Sequence, residues 1–503
     1  MRSSRKTGIT LSYIYFAAST IVGIFMSSFV IRTIGKTDYG VYQSMTAFVS
    51  YLMLLEFGTG TVMSRNLSLL KKDGTDDDEI RKNVSTIWTL NSVLIAVICC
   101  VAALFYLLIP SIYSKSMSAE QIVMGKHLFL FAVFSLLCSF SQQMMNGILI
   151  GNEYYVFEKA ASLIKLLLRS ILVVSLLLIK PSIYYLAFVD SLMSLLILVI
   201  SYGYIKKELR YRFTYSFFDK DIFRFITPLC LAMLLQTIVN TANGSIDKFL
   251  ISVMMTPEDV SVYSIAMTMF SMFSSIATLP VTMFMPQVAK NIKAGLKGKD
   301  LAETLINPCR LNVIITGMIA FGFAVIGKQF IVILYGEDFE LAWLCAMIVI
   351  FPMFVNMSNA VIVNVLDVMN KRHVRSVLLM ITTAANIAMT IIGIRLIGML
   401  GAAIATGITL ISQVVLLNLF YSRKIGLPVI YMFRKSFKGI LIPLAAACLA
   451  GIIVTSFVHN IYLQFVIGGL SFVLIFAFCF CLYGADAYER DMMNRMKARL
   501  FHT

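Results

Sequence analysis

Two cations share one face of an apolar segment and are suited to binding an anion. Ser162, Lys165 and Arg169 recur at intervals of three and four residues within the hydrophobic stretch 159–179. Residues at these spacings are neighbours on a helix surface. A guanidinium presents a planar fork of donors that matches phosphate or carboxylate oxygens. The pattern predicts a site for a lipid diphosphate or an acidic sugar. Alternatively Asp190, at a similar height on the adjoining segment, closes Arg169 into a structural brace.

A second polar stripe runs along the apolar stretch 223–254. It consists of Gln236, Asn240, Asn243 and Asp247. Their spacing places them on one side of a helix, and lipid cannot hydrate them, so the stripe must face the interior of a bundle. We expect Asp247 to line a cavity. Lys248 points about 100° away and reaches a neighbouring helix or extends to the surface. A purely structural brace between helices is the alternative for this pair.

Isolated charges also occur in the second apolar segment. Glu56 and Arg65 are nine residues apart and therefore lie on nearly opposite faces of a helix. We expect Arg65 to join the cations of the cavity. An acid near the middle of a membrane is a candidate for protonation or ion coupling, and we assign Glu56, Asp190, Asp247 and Lys248 to coupling or gating. The alternative for this region is structural, because Gly58 and Gly60 permit a bend or a close helix contact.

A third polar arc lies in the second half of the chain. It contains Asn356, Asn359, Asn364 and Asp367, within about 140° of a helix. We expect Asn356 and Asn359 to line the same kind of cavity as the first-half residues.

The elements that carry these residues must be membrane-spanning helices. Of the 503 residues, 59% are hydrophobic and 14% are charged, and the mean hydropathy is +0.86. Such a chain has too little polar surface for a soluble globule. We predict an all-α polytopic protein with about fourteen spans. They lie near 9–31, 41–70, 84–109, 121–150, 159–179, 183–205, 223–254, 261–289, 306–327, 342–366, 375–396, 401–421, 439–458 and 461–483.

The basic residues predict the orientation of the chain. The side that carries both termini receives 31 of the 42 lysines and arginines in this arrangement, and the opposite side receives seven. By the positive-inside rule both termini are cytoplasmic. The net charge of +16 is therefore a topology signal and does not indicate nucleic acid. Basic stretches such as 206–212 and 290–299 are expected to be solvated loops beside anionic lipid headgroups.

Several functional classes are excluded or disfavoured by what the sequence lacks. The predicted loops are too short to form a catalytic domain, and no phosphate-binding loop of the G-x-x-x-x-G-K-[ST] type occurs. The nine cysteines lie almost entirely in apolar runs, and the four histidines are scattered, so we expect no metal site. We predict a transporter without a cofactor and not an enzyme.

A weak internal repeat relates the two halves of the chain. "DYGVYQSMTAFVS" (38–50) and "DVSVYSIAMTMFS" (259–271) share four identities, and each follows the first predicted span of its half. Six spans precede residue 223 and six follow it before residue 422, so the repeats are parallel. We predict lobes at 1–222 and 223–422, followed by two further helices and a basic tail at 423–503.

The motif order resembles that of the polysaccharide transporter (O-antigen flippase type) branch of the multidrug/oligosaccharidyl-lipid/polysaccharide flippase superfamily. The resemblance is carried by "IRTIGKTDYGVY" (31–42), "LLEFGTGTVMSR" (54–65), "SIDKFLI" (245–251), "VSVYSIAMTMF" (260–270) and "IGMLGAAIATGI" (397–408). It implies two six-helix bundles around a central cavity, a MATE-like fold and alternating access. It also implies a bacterial cytoplasmic membrane protein that moves an undecaprenyl-diphosphate-linked O-antigen, capsule or exopolysaccharide unit.

Two other functions remain as alternatives at this point. An ion-coupled multidrug exporter has the same fold, but it should present acids and aromatic cages to a cation, whereas Lys165 and Arg169 suit an anion. A membrane enzyme acting on lipid-linked sugars should carry a substantial external loop. For the flippase we expect a monomer in contact with membrane lipids, driven by an H⁺ or Na⁺ gradient or by use of the product outside. Other polysaccharide assembly proteins are further expected partners.

Overall fold

The structure is a computed structural model. It describes residues 5–56, 58–72, 77–209, 218–358, 360–369, 372–486 and 488–491. These residues form helices joined by turns, which confirms the predicted all-α class. The chain divides into two compact units, Met1–Ser261 and Val262–Thr503, and the boundary falls near the start of one long helix.

The helices of the first unit are long, and most have lengths that suit a membrane span. They are α1 (Arg5–Ile34), α2 (Lys36–Leu52), α3 (Thr59–Lys72), α4 (Asp77–Tyr113), α5 (Ala119–Gly151), α6 (Tyr155–Ile179), α7 (Ile183–Tyr204) and α8 (Lys220–Met254). The boundary helix is α9 (Pro257–Lys293). Val62, Ile87, Met144 and Ile148 belong to the core of the unit, on which α3, α4 and α5 converge.

The second unit continues from α9 with shorter elements among its spans. Its helices are α10 (Gly298–Tyr335), α11 (Glu340–Ser358), α12 (Val361–Val368), α13 (Arg372–Ile397), α14 (Met399–Phe420), α15 (Val429–Phe437), α16 (Leu441–Ser456) and α17 (Ile461–Cys479). Leu305, Cys309, Val365 and Met432 are among the buried residues of its core.

The number of spans is close to the expected figure. Within the described residues, twelve helices are long and apolar enough to cross a membrane, and a pair bent by 47°, α15 with α16, brings the number to thirteen. About fourteen were predicted, and each predicted segment overlaps a helix. The fourteenth predicted span corresponds to α8, which is 35 residues long. Many of its side chains lie outside the described set.

The second span is broken near its middle. After α2 ends, Met53–Glu56 form a 3₁₀ turn, and Gly58 takes a φ of +65° before α3 begins. Glycine adopts this left-handed conformation without the steric cost that a Cβ imposes. Gly60 packs closely against α5, because a Cβ there would lie 2.4 Å from the Gln143 carbonyl oxygen. Both the bend and the close helix contact that the glycines permit are therefore present.

The start of α2 packs tightly on the start of α9. Thr37 donates a hydrogen bond to the Glu258 carboxylate, and the Ser261 hydroxyl donates to the Lys36 carbonyl oxygen at 2.5 Å. At Gly40 the backbones approach so closely that a Cβ would lie 1.8 Å from the Pro257 carbonyl oxygen. Both contacts join the beginnings of the two segments that the sequence repeat relates.

A buried arginine ties several segments of the second unit together. Arg310 on α10 is 4% exposed and donates to both carboxylate oxygens of Glu489, at 2.8 and 2.9 Å. It also donates to the carbonyl oxygens of Lys435, Lys438 and Gly484 at 2.7 to 3.2 Å. These bonds connect α10 to the end of α15 and to the segment after α17. Arg310 and Glu489 lie 179 residues apart in the sequence, so no local pattern predicts that they pair.

Candidate functional site

A cavity of about 350 Å³ lies within the first unit, among α2, α5, α6 and α7. Its charged lining groups are Lys165 and Arg169 from α6 and Asp190 from α7. The predicted cationic face of α6 therefore lines a cavity. The α7 acid lies close by because α6 and α7 are antiparallel neighbours joined by a short turn, which brings residues of similar height together.

Arg169 and Asp190 form an ion pair on the cavity wall. The Arg169 Nε and Nη2 atoms both donate to the Asp190 carboxylate, the second at 3.1 Å. The Tyr42 hydroxyl of α2 donates to Asp190 Oδ2 at 2.7 Å. The arginine and aspartate side chains remain 29% and 20% exposed. The brace and the cavity wall are thus the same pair of residues, which keeps part of its surface open to the cavity.

Because Arg169 and Asp190 neutralise each other, Lys165 carries the uncompensated positive charge of the cavity. Its ammonium donates to the Ser194 hydroxyl at 3.3 Å, and no carboxylate of the described residues lies within 4.0 Å of it. The Ser135 and Ser194 hydroxyls also bond each other at 2.9 Å. Further hydroxyls come from Thr46, Ser50 and Ser139. Two cations and one acid give the lining a net charge of +1, beside several hydroxyl groups that can bind sugar hydroxyls.

The acid and the lysine of α8 are placed against α2, outside the lining of this cavity. Lys248 Nζ donates to Gln43 Oε1 at 3.3 Å, and the Gln43 amide donates to the Tyr39 hydroxyl at 2.6 Å. Asp247 is buried, with 4% exposure, and interacts electrostatically with the Tyr51 hydroxyl. The two consecutive charges therefore both interact with polar side chains of α2.

Glu56 and Arg65 lie at the broken span, on different sides of it. Glu56 belongs to the 3₁₀ turn and accepts a hydrogen bond from the Gln143 amide of α5 at 2.7 Å. Arg65 is exposed on α3 and does not line the cavity. The break therefore holds a half-buried acid against an amide within a membrane-spanning segment.

A smaller cavity, of about 270 Å³, lies within the second unit. Asn356 and Asn364 line it, together with Arg375 and Asn418. The Asn364 side-chain amide donates a hydrogen bond to the Val281 carbonyl oxygen at 2.7 Å. Sequence reasoning missed Arg375, which lies at the edge of a predicted span, where a basic residue is ordinarily a topology signal.

Several predicted site residues lie outside the part of the chain that the structure describes. Asn359 is one of them, and for Gln236, Asn240, Asn243 and Asp367 the backbone is described but the side chain is not. Within the described residues, no group of three or more histidines, cysteines and acids is arranged to hold a metal ion.

Comparison with known proteins yields one family and several solved structures of similar fold. The profile of the family described as "Polysaccharide biosynthesis protein" matches residues 29–344. A sequence comparison with curated proteins gives no match. Among solved structures, the lipid II flippase MurJ in its inward closed conformation is 18% identical, with a TM-score of 0.73 over 96% of this chain and 100% of that one.

Multidrug transporters are similar at lower scores. The inward-facing conformation of a multidrug resistance MATE family transporter of the MOP superfamily is 12% identical, with a TM-score of 0.56 over 81% of this chain and 96% of that one. The Vibrio cholerae MATE transporter VcmN in its bent form is 11% identical, with a TM-score of 0.51 over 86% and 99%. These likenesses confirm the predicted MATE-like, multi-pass membrane fold.

Proposed function

Because this chain belongs to the polysaccharide biosynthesis protein family, we propose that it is a flippase for a lipid-diphosphate-linked oligosaccharide. Membership confirms the family resemblance drawn from the motifs. The proposed substrate is an undecaprenyl-diphosphate-linked repeat unit of an O-antigen, capsule or exopolysaccharide. The proposed location is the bacterial inner membrane, with both termini in the cytoplasm. The printed name of one similar structure, a lipid II flippase, supports a lipid-linked substrate.

The observation that carries the proposal is the cationic, hydroxyl-rich cavity among α2, α5, α6 and α7. A cavity of about 350 Å³ falls at the lower end of the range for ligand pockets, so it holds part of a substrate and not a whole repeat unit. A site within membrane-spanning helices strengthens electrostatic interactions, because the surrounding dielectric constant is low. An anionic group and one or two sugar rings are the chemistry that its lining favours.

The ion pair on the cavity wall makes Asp190 a competitor of the ligand for Arg169. Asp190 occupies the Nε and Nη2 donors of Arg169, so it competes with any anionic ligand for the guanidinium. Lys165 has no such competitor and provides the first contact for an anion. As the ligand approaches Arg169, Asp190 is retained through the Tyr42 hydroxyl. Without a ligand, the pair keeps the arginine neutralised, and this lowers the cost of holding it within a membrane.

We further propose that transport proceeds by alternating access of two lobes, 1–222 and 223–422, with 423–503 appended. Glu56, Asp190, Asp247 and Lys248 are proposed to respond to an H⁺ or Na⁺ gradient. The position of Glu56 in a 3₁₀ turn at a helix break supports this role, because ion sites of transporters are often built at discontinuous helices. No bond of the substrate is broken. Other polysaccharide assembly proteins are proposed to supply and use it, and a monomer suffices for the step.

Substitutions at Arg169 test whether the cavity binds the substrate. In a strain that depends on this protein for glycan export, Arg169→Glu should abolish export while leaving the protein in the membrane. Lys165→Gln should reduce export by about tenfold or more, since a hydrogen bond to a charged group contributes roughly 1.5–3 kcal/mol. Surface glycan is measured by immunoblot and membrane insertion by fractionation.

A charge swap separates ligand binding from a structural brace. The Arg169→Asp/Asp190→Arg variant retains an ion pair at the same place but moves the guanidinium from α6 to α7, away from Lys165. If Arg169 contacts the substrate, the swapped variant should remain inactive although it folds. Recovery of export by the swap would contradict the proposed site, because a brace alone would then be sufficient.

A further inference from the structure

The short helix α15 of the second unit has one buried face and one exposed face. Val429, Met432 and Ser436 are buried against the core of the unit. Ile430 is 87% exposed, and Arg434 is exposed beside it. The helix precedes α16 and is bent from it by 47°. Since α16 has the hydrophobicity of a membrane span, α15 lies at the end of that span, where the bilayer meets water.

The buried face of α15 is held firmly by the Arg310 cluster. Arg310 Nη1 donates to the carbonyl oxygens of Lys435 and Lys438 at 3.1 and 2.7 Å, at the end of the helix. These bonds use the backbone and leave both lysine side chains exposed. The orientation of α15 is therefore fixed from inside the protein.

Basic turns converge beside this outer face. The α9–α10 turn lies next to the α14–α15 turn, because a Cβ on Gly298 would be 3.7 Å from the Gly426 carbonyl oxygen. The Tyr431 ring of α15 lies near Lys299 of α10 and Lys435 of its own helix. Its centroid is 5.7 Å from Lys299 Nζ and 5.5 Å from Lys435 Nζ, and its hydroxyl bonds Glu303.

The charge of this surface is strongly unbalanced. Residues 290–303 and 421–438 contain nine lysines and arginines, all exposed, and two acids. Four of the cations lie within 290–299, in the α9–α10 turn and the helix ends that flank it, and the others are Arg423, Lys424, Arg434, Lys435 and Lys438. One of the two acids, Glu303, is engaged by Tyr431. Two stretches, one on each side of the contact between the turns, bring these charges together beside α15, which itself carries Arg434 and Lys435.

We propose that this surface, defined by the exposed side of α15 with the 290–299 and 421–426 turns, binds the headgroups of anionic phospholipids. The cations contact lipid phosphates, and Ile430 enters the acyl region beneath them. An exposed isoleucine among cations fits a lipid surface and does not fit a free anion or a nucleic acid, because either would leave the apolar side chain in water. The proposal is independent of the transported substrate, since neither the nine cations nor Ile430 lines either of the two cavities described above.

Native mass spectrometry of the purified full-length protein in detergent tests the surface. The probes are dioleoylphosphatidylglycerol, dioleoylphosphatidylcholine and soluble glycerol phosphate. Lys424→Gln/Arg434→Gln/Lys435→Gln should weaken phosphatidylglycerol binding at least tenfold, since each basic residue near an anionic lipid surface increases the affinity about fivefold. Phosphatidylcholine binding should be unchanged, and glycerol phosphate should bind far more weakly than the lipid.

A matched control has the same loss of charge elsewhere. Lys82→Gln/Lys220→Gln/Arg224→Gln removes three exposed cations from the first unit and should change phosphatidylglycerol binding less than twofold. A second variant, Ile430→Ser, changes a fully accessible side chain and should also weaken lipid binding. Equal losses in the two triple variants would show general charge attraction and overturn the proposal. An unaffected Ile430→Ser variant, or equal binding of glycerol phosphate, would also overturn it.

Discussion

Removing the carboxylate that neutralises Arg310 should strongly destabilise the second unit. Arg310 is 4% exposed and makes its two bonds to Glu489 at 2.8 and 2.9 Å, within a cluster that also satisfies three carbonyl oxygens. Glu489→Leu leaves the guanidinium charge buried without its main counter-ion. Asp486 Oδ2 lies 4.0 Å from Nε on a side chain that is 65% exposed, so it compensates weakly.

The expected magnitude follows from the two lost bonds. Each hydrogen bond to a charged group contributes roughly 1.5–3 kcal/mol, so two contribute about 3–6 kcal/mol, which overlaps the cost of about 3–5 kcal/mol for breaking a buried ion pair. Glu489→Gln retains one acceptor and should cost less than Glu489→Leu. The Asp486→Asn/Glu489→Leu double variant should cost the most, because it also removes the weak second carboxylate.

The assay is a denaturant titration of the purified protein in micelles, which gives the free energy of unfolding. The matched control is Glu340→Leu, because Glu340 pairs with Lys328 at 2.6 Å while their side chains are 54% and 47% exposed. An exposed pair contributes about 0–1 kcal/mol. If Glu489→Leu proves no more destabilising than Glu340→Leu, the buried ion pair does not have the structural role inferred from its geometry.

Three other predictions concern the backbone and the α8 stripe. Gly40→Ala should lower the free energy of unfolding by about 1–3 kcal/mol, because its Cβ would meet the Pro257 carbonyl oxygen. Gly23→Ala, with open space around it, should be nearly neutral, and equal effects of the two substitutions would contradict the inferred packing. Gly58→Ala should lower the free energy of unfolding by about 1 kcal/mol or more, and Gly58→Asn should lower it less, since asparagine tolerates a positive φ. The same titration measures both variants, and the reverse order would show that the positive φ is not the reason. Cysteines at positions 240 and 243, in a background without the native cysteines, should react with membrane-impermeant thiol reagents from one side, and full protection would show that the stripe is packed shut.

Lys165 and Arg169 line the same cavity because of a local property of their helix. Residues three and four apart share a helix face in any structure, so Lys165 and Arg169 had to lie together. Whether Asp190 would neutralise Arg169 depended on how α6 and α7 pack side by side. Tyr42 could not be predicted as the third member, because its bond to Asp190 joins residues 148 positions apart.

What the sequence determined by itself is the class of protein and the approximate positions of its spans. Those follow from the length and hydrophobicity of continuous segments, and an apolar run of about 20 residues crosses a bilayer whatever its neighbours are. The tertiary structure alone decided which embedded charges are paired, where the second span breaks against α5, and that Arg310 and Glu489 meet. Such pairings are set by the packing of helices distant in sequence, and the periodicity of one helix carries no information about the side chains of another.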